Sequence, residues 1–567
     1  MTFPVLVASV LAIATVAGVL ARVTQRYLST TIAASAAILL LQHVYFHYTS
    51  DDAYISYRYA RNLADGVGVV WNPGENVEGY TNFLWVAILA ALHRLGADIV
   101  VSGRWLGFTL AIAAAAGTYR LTADLLEGEA GRVAGVVAAL LLASSGAWAL
   151  WTTAGLEAPL FATLMLSAIL LHLRERPREA SGPAQGWLPA SGVVWGFVAL
   201  ARPEGVLLFA ISGVFKLGDA VAHYRSAAPH GIVHRSFALI RVGSTLLLWA
   251  IGFALIFVPY FVWRFDTFGW LFPNTFYAKI GSGLDQYDRG LRYLTSFLQE
   301  YGGWLLLLVP VTLAVAAGRR GPMLYVLSLL LSWLAYVALV GGDSLLLFRF
   351  LAPMLPVFFA LIVASTRTLL MMICTEQPLS KRVASAAFAV VVLSAIAFTL
   401  YPTANQSDRI RGERRAVHDR GAIGRWMRDA LPASTTVAAV PVGAIAYESR
   451  LVTIDMLGIT DEHIAHRDLP LGEFPAGHEK YDTEYVLDRQ PDIIILFDGL
   501  SSEPWTSADY DTLRHVFILA VADMIGNERT SAEYERRAVD VGEGMWFNLL
   551  VRRGATAVMA KTDLAPP

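Results

Sequence analysis

The sequence predicts an α-helical polytopic membrane protein that carries a water-soluble α/β domain at its C-terminal end. Three observations predict it. Of 567 residues, 56% are hydrophobic and 16% charged, whereas an ordinary soluble domain has about 25% charged residues. Apolar runs long enough to reach across a bilayer recur from Phe3 to Leu400. After Tyr401-Pro402 they stop, and short strand-like and helical stretches alternate instead.

Taken in order, residues 3–21 read as a retained first span with its amino end outside. They lack the basic leader of a secretory signal and are followed by Arg22 and Arg26. Residues 31–48 return outward and deliver Asp51 and Asp52 to the outer side. Residues 53–64 have helical composition and end at Asp65-Gly66-Val67-Gly68, a helix stop. The short apolar run 83–95 ends in His93-Arg94-Leu95 and reads as an interfacial helix outside the membrane.

Further spans are expected at 105–121, 133–150, 156–173, 188–200, 206–215, 246–263, 305–317, 324–340, 351–363 and 384–400. Alternating their direction places Arg120, Arg132, the basic run 174–178, Arg225, Arg235, Arg241, Arg319-Arg320 and Lys381-Arg382 in the cytoplasm, as the positive-inside rule asks. About twelve membrane helices result, with both termini outside. The expected division is a membrane domain over residues 1–402, with its first external loop at 50–102, and an external α/β domain over 403–567. In the latter, strands are expected at 436–440 and 492–497, and helices at 422–430 and 507–519.

A net charge of -2 argues against a nucleic-acid partner. The single cysteine, Cys374, rules out an intrachain disulfide.

The chemistry is expected where ionisable residues gather at external helix ends. Asp51-Asp52 comes first: two adjacent carboxylates at the end of a membrane helix are costly, and they favour a shared proton, a bound cation or a positive neighbour such as Arg58 or Arg61. Glu157, Arg202, Glu204, Asn274, Lys279, Asp343 and Arg349 fall in the other short external loops and are expected to face one cavity. Carboxylates accept a hydroxyl proton and cationic side chains hold phosphate, so the mixture suits transfer from a phosphate-linked donor. Trp71, Trp151 and Trp270 offer flat faces for sugar rings. Each has a plainer reading: an N-cap for the aspartates, a tight-turn ion pair for Arg202 and Glu204, and interfacial charges for the rest. The run 461–468, with two histidines among acids, resembles a metal-ligand segment but lacks HExxH spacing and reads as a solvated loop.

The run 51–64 (Asp-Asp-Ala-Tyr-Ile-Ser-Tyr-Arg-Tyr-Ala-Arg-Asn-Leu-Ala), Asn72-Pro73-Gly74-Glu75 and 77–81 together resemble the first external loop of the GT-C glycosyltransferases. Within these they are most similar to the actinobacterial terminal β-(1→2) arabinofuranosyltransferase family. Gly155-Leu156-Glu157, 202–205, 273–279, Gly341-Gly342-Asp343 with Arg349, and 454–461 match the same group, so the resemblance covers most of the chain. The extra helix at 3–21 departs from it. The resemblance implies a GT-C fold and an inverting transfer of arabinofuranose from a polyprenyl-phosphate donor to a cell-envelope glycan, at the outer face of a bacterial plasma membrane. Mannose or glucose is the alternative sugar, and a lipid or glycan transporter the alternative class. It also implies an acidic base in the first loop, carried here by Asp51 or Asp52. Asp51 is preferred as base, with Asp52 positioning the acceptor or fixing Arg58. Arg58, Glu157, Arg202, Glu204, Asn274, Lys279, Asp343 and Arg349 are expected on the donor side, and Trp71, Glu78, Tyr80 and Asn82 on the acceptor side. No cofactor is required by these residues, with a divalent cation beside Asp51 and Asp52 left as an open alternative.

Overall fold

The computed structural model describes residues 1–176, 189–227, 232–281, 283–315, 320–373, 378–497, 499–516 and 518–564. Cys374, Arg319, part of the basic run 174–178 and one end of each expected span at 188–200 and 305–317 lie outside the described residues.

Two long helices open the chain, α1 (Phe3–Thr24) and α2 (Tyr27–Phe46). Pro4 starts α1, where its missing N–H costs nothing, and left-handed Gln25 stops it. Leu6, Val10, Ala14, Ala17 and Ala21 recur every three or four residues and form the buried stripe of α1. The alanines in that stripe let the backbones approach closely.

Then come α3 (Asp51–Ala64), α4 (Phe83–Arg94), α5 (Ile99–Leu126), α6 (Gly128–Ser144), α7 (Gly146–Thr153), α8 (Ala158–Glu175), α9 (Ala190–Ala201), α10 (Gly205–Ala227) and α11 (Ile232–Phe268). The membrane part closes with α12 (Asn274–Lys279), α13 (Leu284–Glu300), α14 (Leu308–Val315), α15 (Arg320–Leu339), α16 (Leu355–Ile373) and α17 (Pro378–Asn405).

Among the described residues, eight helices are long and apolar enough to cross a membrane, or ten if each of two bent pairs counts as one span. About twelve were expected; α17 spans the expected run 384–400 but is outside this count of described residues, and three of the other expected spans differ for local reasons. The expected span 133–150 breaks at Ser145, whose extended backbone separates α6 from α7 at 63° while its hydroxyl caps α7. The expected span 305–317 is the second limb of a right-angled bend after the charged, amphipathic α13. At 12 residues, α9 is too short for a full crossing, as is the interfacial α4.

The chain turns from α17 into α18 (Ser407–Ala430) and then builds a six-stranded mixed sheet. Its strands are β1 (Thr436–Ala439), β2 (Val452–Asp455), β3 (Ile493–Ile495), β4 (Tyr534–Asp540), β5 (Trp546–Arg552) and β6 (Asp563–Leu564), in the order β2-β1-β3-β5-β4-β6. The first three run parallel and are short and apolar, as buried parallel strands are; β5, β4 and β6 complete the sheet antiparallel. Two short helices, α19 (Ala444–Ser449) and α20 (Glu462–Ala465), follow β1 and β2. The loops leaving the carboxyl ends of β1 and β2 meet the membrane part at Asp51 and Asn274, and the segment 474–479 meets it at Arg289.

Edge strand β2 has a free side, and the first loop covers it. Asn72 Nδ2 donates to Thr453 O at 3.0 Å while Thr453 N–H donates to Asn72 Oδ1 at 3.0 Å, so one amide stands in for a neighbouring strand. Trp71 Nε1–H adds a bond to the same carbonyl at 2.9 Å.

Candidate active site

The two aspartates begin α3, where helix N-terminal N–H groups favour negative charge. Their side chains diverge. Asp51 turns toward the C-terminal domain: Gly443 N–H donates to its Oδ2 at 3.1 Å and Ala444 N–H to its Oδ1 at 2.9 Å, with Arg420 3.5 Å away. Both its oxygens thus serve the turn that starts α19. Asp52 turns the other way, accepts from Arg349 Nη1 at 2.7 Å through Oδ2, and keeps 30% of its side chain exposed. Among the described residues nothing donates to its Oδ1. Burial raises the Asp52 pKa, but the Arg349 guanidinium and the Lys279 ammonium outweigh this and hold it below the ordinary aspartate range.

Arg349 is itself gripped in a fork by Asp343, with Nε to Oδ2 at 2.7 Å and Nη2 to Oδ1 at 3.1 Å. Three of its five N–H groups are used this way, and two are left over. The turn that presents it is strained: Leu347 and Phe348 have left-handed backbone at φ 46° and 53°. For bulky residues this costs about 1–3 kcal/mol each and persists only where the surroundings enforce it. Trp151 Nε1–H bonds Leu346 O at 2.9 Å and Trp333 Nε1–H bonds Phe350 O at 2.8 Å, pinning the turn from both ends.

Lys279 ends α12 and joins this cluster. Its ammonium donates to no described residue, and burial, reinforced by Arg349, lowers its pKa. Gly477 lets the lysine stem pass: a Cβ there would sit 3.1 Å from Lys279 Cε, and its φ of +83° is already one that favours glycine. His478 follows, with Nδ1 3.3 Å from Ala476 O; burial lowers its pKa, while Asp52 and Asp343 act to raise it. Two carboxylates and two cations therefore converge, with Asp52 Oδ1 and the Lys279 ammonium uncommitted.

A second cluster lies deeper. Arg202 donates to Glu157 at 2.6 Å and to Glu204 at 2.8 Å, with all three side chains 8% exposed or less. Tyr336 Oη–H bonds Glu204 at 2.9 Å, and Asn82 joins Glu157 at 2.8 Å and pairs with Ser56. Gly155 makes room for this chain turn: its φ is +92°, and a Cβ would lie 2.0 Å from Tyr57 Oη. Arg202 is thus held between two carboxylates that Tyr336 and Asn82 also bond, and the cluster is tied together by its own hydrogen bonds.

The remaining expected residues are inter-domain ties. Arg58 donates to Trp71 O, Ala446 O, Asn72 Oδ1 and Leu451 O within 3.0 Å, which uses its guanidinium on the protein itself. Asn274 Nδ2 donates to Gly458 O at 2.8 Å and Ile459 O at 3.0 Å. On the expected acceptor side, Trp71, Glu78, Tyr80 and Asn82 are all buried. Glu78 pairs with Arg264 at 2.7 Å, and Tyr80 packs edge-on against Tyr59. The C-terminal domain covers Trp71 through Thr453, whereas Arg264 meets Glu78, Phe83 and Phe268 meet Tyr80, and Ser56 and Glu157 meet Asn82. Of the three tryptophans expected to offer a flat face, Trp71 and Trp151 are fully buried and Trp270 is 39% exposed.

Sequence reasoning missed Asn72 as a strand mimic, Arg264, Arg420 and His478. Arg264 sits inside an apolar helix, where any charge asks for a partner, and that signal was available. The other three owe their roles to contacts between segments hundreds of residues apart.

Asp51 is saturated by N–H donors and Asp52 is paired with cations, and among the described residues no group of three or more His, Cys, Asp or Glu converges.

Residues 408–541 match a family model described as a domain of unknown function (DUF8728). Over 282 residues the chain is 29% identical to the terminal beta-(1->2)-arabinofuranosyltransferase of Mycobacterium tuberculosis, a match covering 48% of this chain and 42% of that protein. The chain thus spans about two fifths of the length of this curated relative. Among solved structures, ArnT from Cupriavidus metallidurans in the apo state superposes with a TM-score of 0.52 at 14% identity, over 93% of this chain and 98% of that one. The same protein bound to undecaprenyl phosphate gives 0.50 at 14%, over 75% and 85%. The apo oligosaccharyltransferase of Archaeoglobus fulgidus gives 0.50 at 12%, over 92% and 74%. The fold is therefore the GT-C fold.

Proposed function

We propose that this chain, built on the GT-C fold, is an inverting glycosyltransferase. In this reading it moves arabinofuranose from a polyprenyl-phosphate donor to an envelope glycan at the outer face of a bacterial plasma membrane. The observation that carries the reading is the pairing of a partly exposed carboxylate, Asp52, with a lysine that has no hydrogen-bond partner among the described residues, Lys279, across the strained Arg349 turn. The sequence likeness to an arabinofuranosyltransferase supports the sugar, and the undecaprenyl phosphate in a structure of the same fold supports the lipid.

The geometry supports the following roles in this reading. The acceptor hydroxyl approaches Asp52 Oδ1, which takes its proton as the hydroxyl oxygen bonds the anomeric carbon. On the opposite face the bond from that carbon to the phosphate oxygen breaks, and polyprenyl phosphate leaves with the electron pair. Lys279 and the two spare N–H groups of Arg349 hold the growing phosphate charge in a site of low dielectric. Asp343 fixes the Arg349 fork. Asp51 positions α19 and so holds the C-terminal domain over the site, which reverses the order expected for the two aspartates. The Glu157, Arg202 and Glu204 cluster stiffens the floor.

The test is direct. Purified protein is incubated with polyprenyl-phosphate arabinofuranose, mannose or glucose and an arabino-oligosaccharide, and products are read by mass. A gain of one pentose from the first donor is expected. A gain from a hexose donor alone reassigns the sugar, and no product from any of them overturns the reading.

A further inference from the structure

An open cleft of about 710 Å³ lies outside the Asp52 cluster, walled by residues 75–77 of the first loop, by Trp270, and by the segment 461–467 of the C-terminal domain. That segment is the histidine and acid run that resembled metal ligands. Its members are used otherwise: Asp461 caps α20, His463 Nε2 sits 2.9 Å from Asp482, and His466 Nδ1 sits 2.9 Å from Glu462 O.

The charges in the cleft are balanced. Arg489 is held by Glu75 and by Asp461 at 3.2 Å, and Arg467 by Asp482 at 3.4 Å and Tyr481 O at 2.6 Å. An anion entering here would have to displace carboxylates. The groups left over suit hydroxyls instead: Asn76 and Glu462 are exposed, and their side chains bond no described residue. Between them lies an aromatic platform, with Trp270 stacked on His466 at 4.0 Å and both rings against Tyr277. His466 Nε2 has no hydrogen-bond partner among the described residues.

We propose that this cleft is a binding subsite for a neutral oligosaccharide, whose rings pack on Trp270 while Asn76 and Glu462 bond its hydroxyls. Its volume lies within the roughly 300–1,000 Å³ of small-molecule sites. The position also fits a longer glycan. Trp270 precedes α12 at its Asn274 end and Lys279 closes it, so one short helix joins the cleft wall to the Asp52 cluster. A glycan whose end reaches Asp52 can lay its next sugars here. That it is the acceptor rests on the transferase reading; that it binds sugar does not.

The experiment is calorimetric titration of the purified full chain in detergent, without donor. The probes are a linear arabinofuranose hexasaccharide, a mannose hexasaccharide of equal length, and inorganic phosphate. One of the hexasaccharides is expected to bind, phosphate is expected not to displace it, and Trp270→Ala is expected to weaken it about tenfold. Because Trp270 also packs on His466, Asn76→Ala and Glu462→Gln are measured beside it and are expected to weaken binding with Tm unchanged. Failure of both hexasaccharides to bind, wild-type affinity in Asn76→Ala and Glu462→Gln, or displacement by phosphate overturns the proposal. Intact sugar binding in a chain that transfers nothing removes the transferase reading and leaves the cleft standing.

Discussion

Asp52 and Arg349 come from segments almost three hundred residues apart and form an ion pair at 2.7 Å, while Asp51, the chain neighbour of Asp52, bonds the backbone of the C-terminal domain. One helix start thus serves two purposes: the first residue docks a domain and the second faces the cluster of Arg349, Asp343 and Lys279.

The first prediction concerns pH. Because Arg349 and Lys279 outweigh burial and depress the Asp52 pKa, its contribution to stability is present above the unfolded value and is lost as pH falls through the lower folded value. The carboxylate stays charged throughout the ordinary aspartate range, so the acid limb of kcat/KM is expected below about pH 4. A limb near pH 6 contradicts this. On the alkaline side, the lowered pKa of Lys279 means its charge is lost before that of an ordinary lysine, about 10.4. There the donor KM is expected to rise, while the contribution of Lys279 to stability rises with pH, because the unfolded chain then binds more protons than the folded one.

Lysine and arginine substitutions should separate binding from folding. Lys279→Ala removes a cation with no partner among the described residues, so donor KM is expected to rise with little change in Tm. Arg202→Ala leaves Glu157 and Glu204 buried without their cation, a loss of about 3–5 kcal/mol. A clear fall in Tm or yield is the expected reading, and wild-type Tm with raised donor KM would return Arg202 to the donor side.

Gly477→Ala tests the path of the lysine. The added methyl meets Lys279 Cε and demands a left-handed backbone, so donor KM is expected to rise in parallel with Lys279→Ala. Unchanged donor KM in a folded variant contradicts the placement.

Much of the fold was legible because burial in lipid or in a core leaves periodic signatures. The α1 stripe, the apolar strands β1 and β3, and the glycines of the 155 and 341 turns are local features. The bends at Ser145 and after α13 were not legible, since hydropathy averages over a break that two or three residues create. The site was legible in part: the residue types and their gathering at one end of the bundle were present in the sequence, and Asp52, Lys279, Asp343 and Arg349 meet. Arg58 and Trp71 instead bond the C-terminal domain, a contact between segments almost four hundred residues apart, while Asn82 and Arg202 bond Glu157, and no local pattern encodes either choice.

Orientation is tested by labelling. With Cys374 replaced, Ser502→Cys in the C-terminal domain and Glu129→Cys in the first turn of α6 are both at exposed positions. In whole cells an impermeant thiol reagent is expected to reach the first and not the second. The reverse pattern puts the site in the cytoplasm.

The central claim is that Asp52, not Asp51, accepts the acceptor proton. Steady-state kinetics of Asp52→Asn and Asp51→Asn, at matched yield and Tm, test it most directly. Asparagine keeps the shape and the Arg349 contact but removes the basic charge. Asp52→Asn is therefore expected to lower kcat about a hundredfold or more with Tm near wild type. Asp51→Asn is expected to lower Tm and leave most of kcat. Near wild-type turnover in Asp52→Asn, with or without loss in Asp51→Asn, contradicts the account.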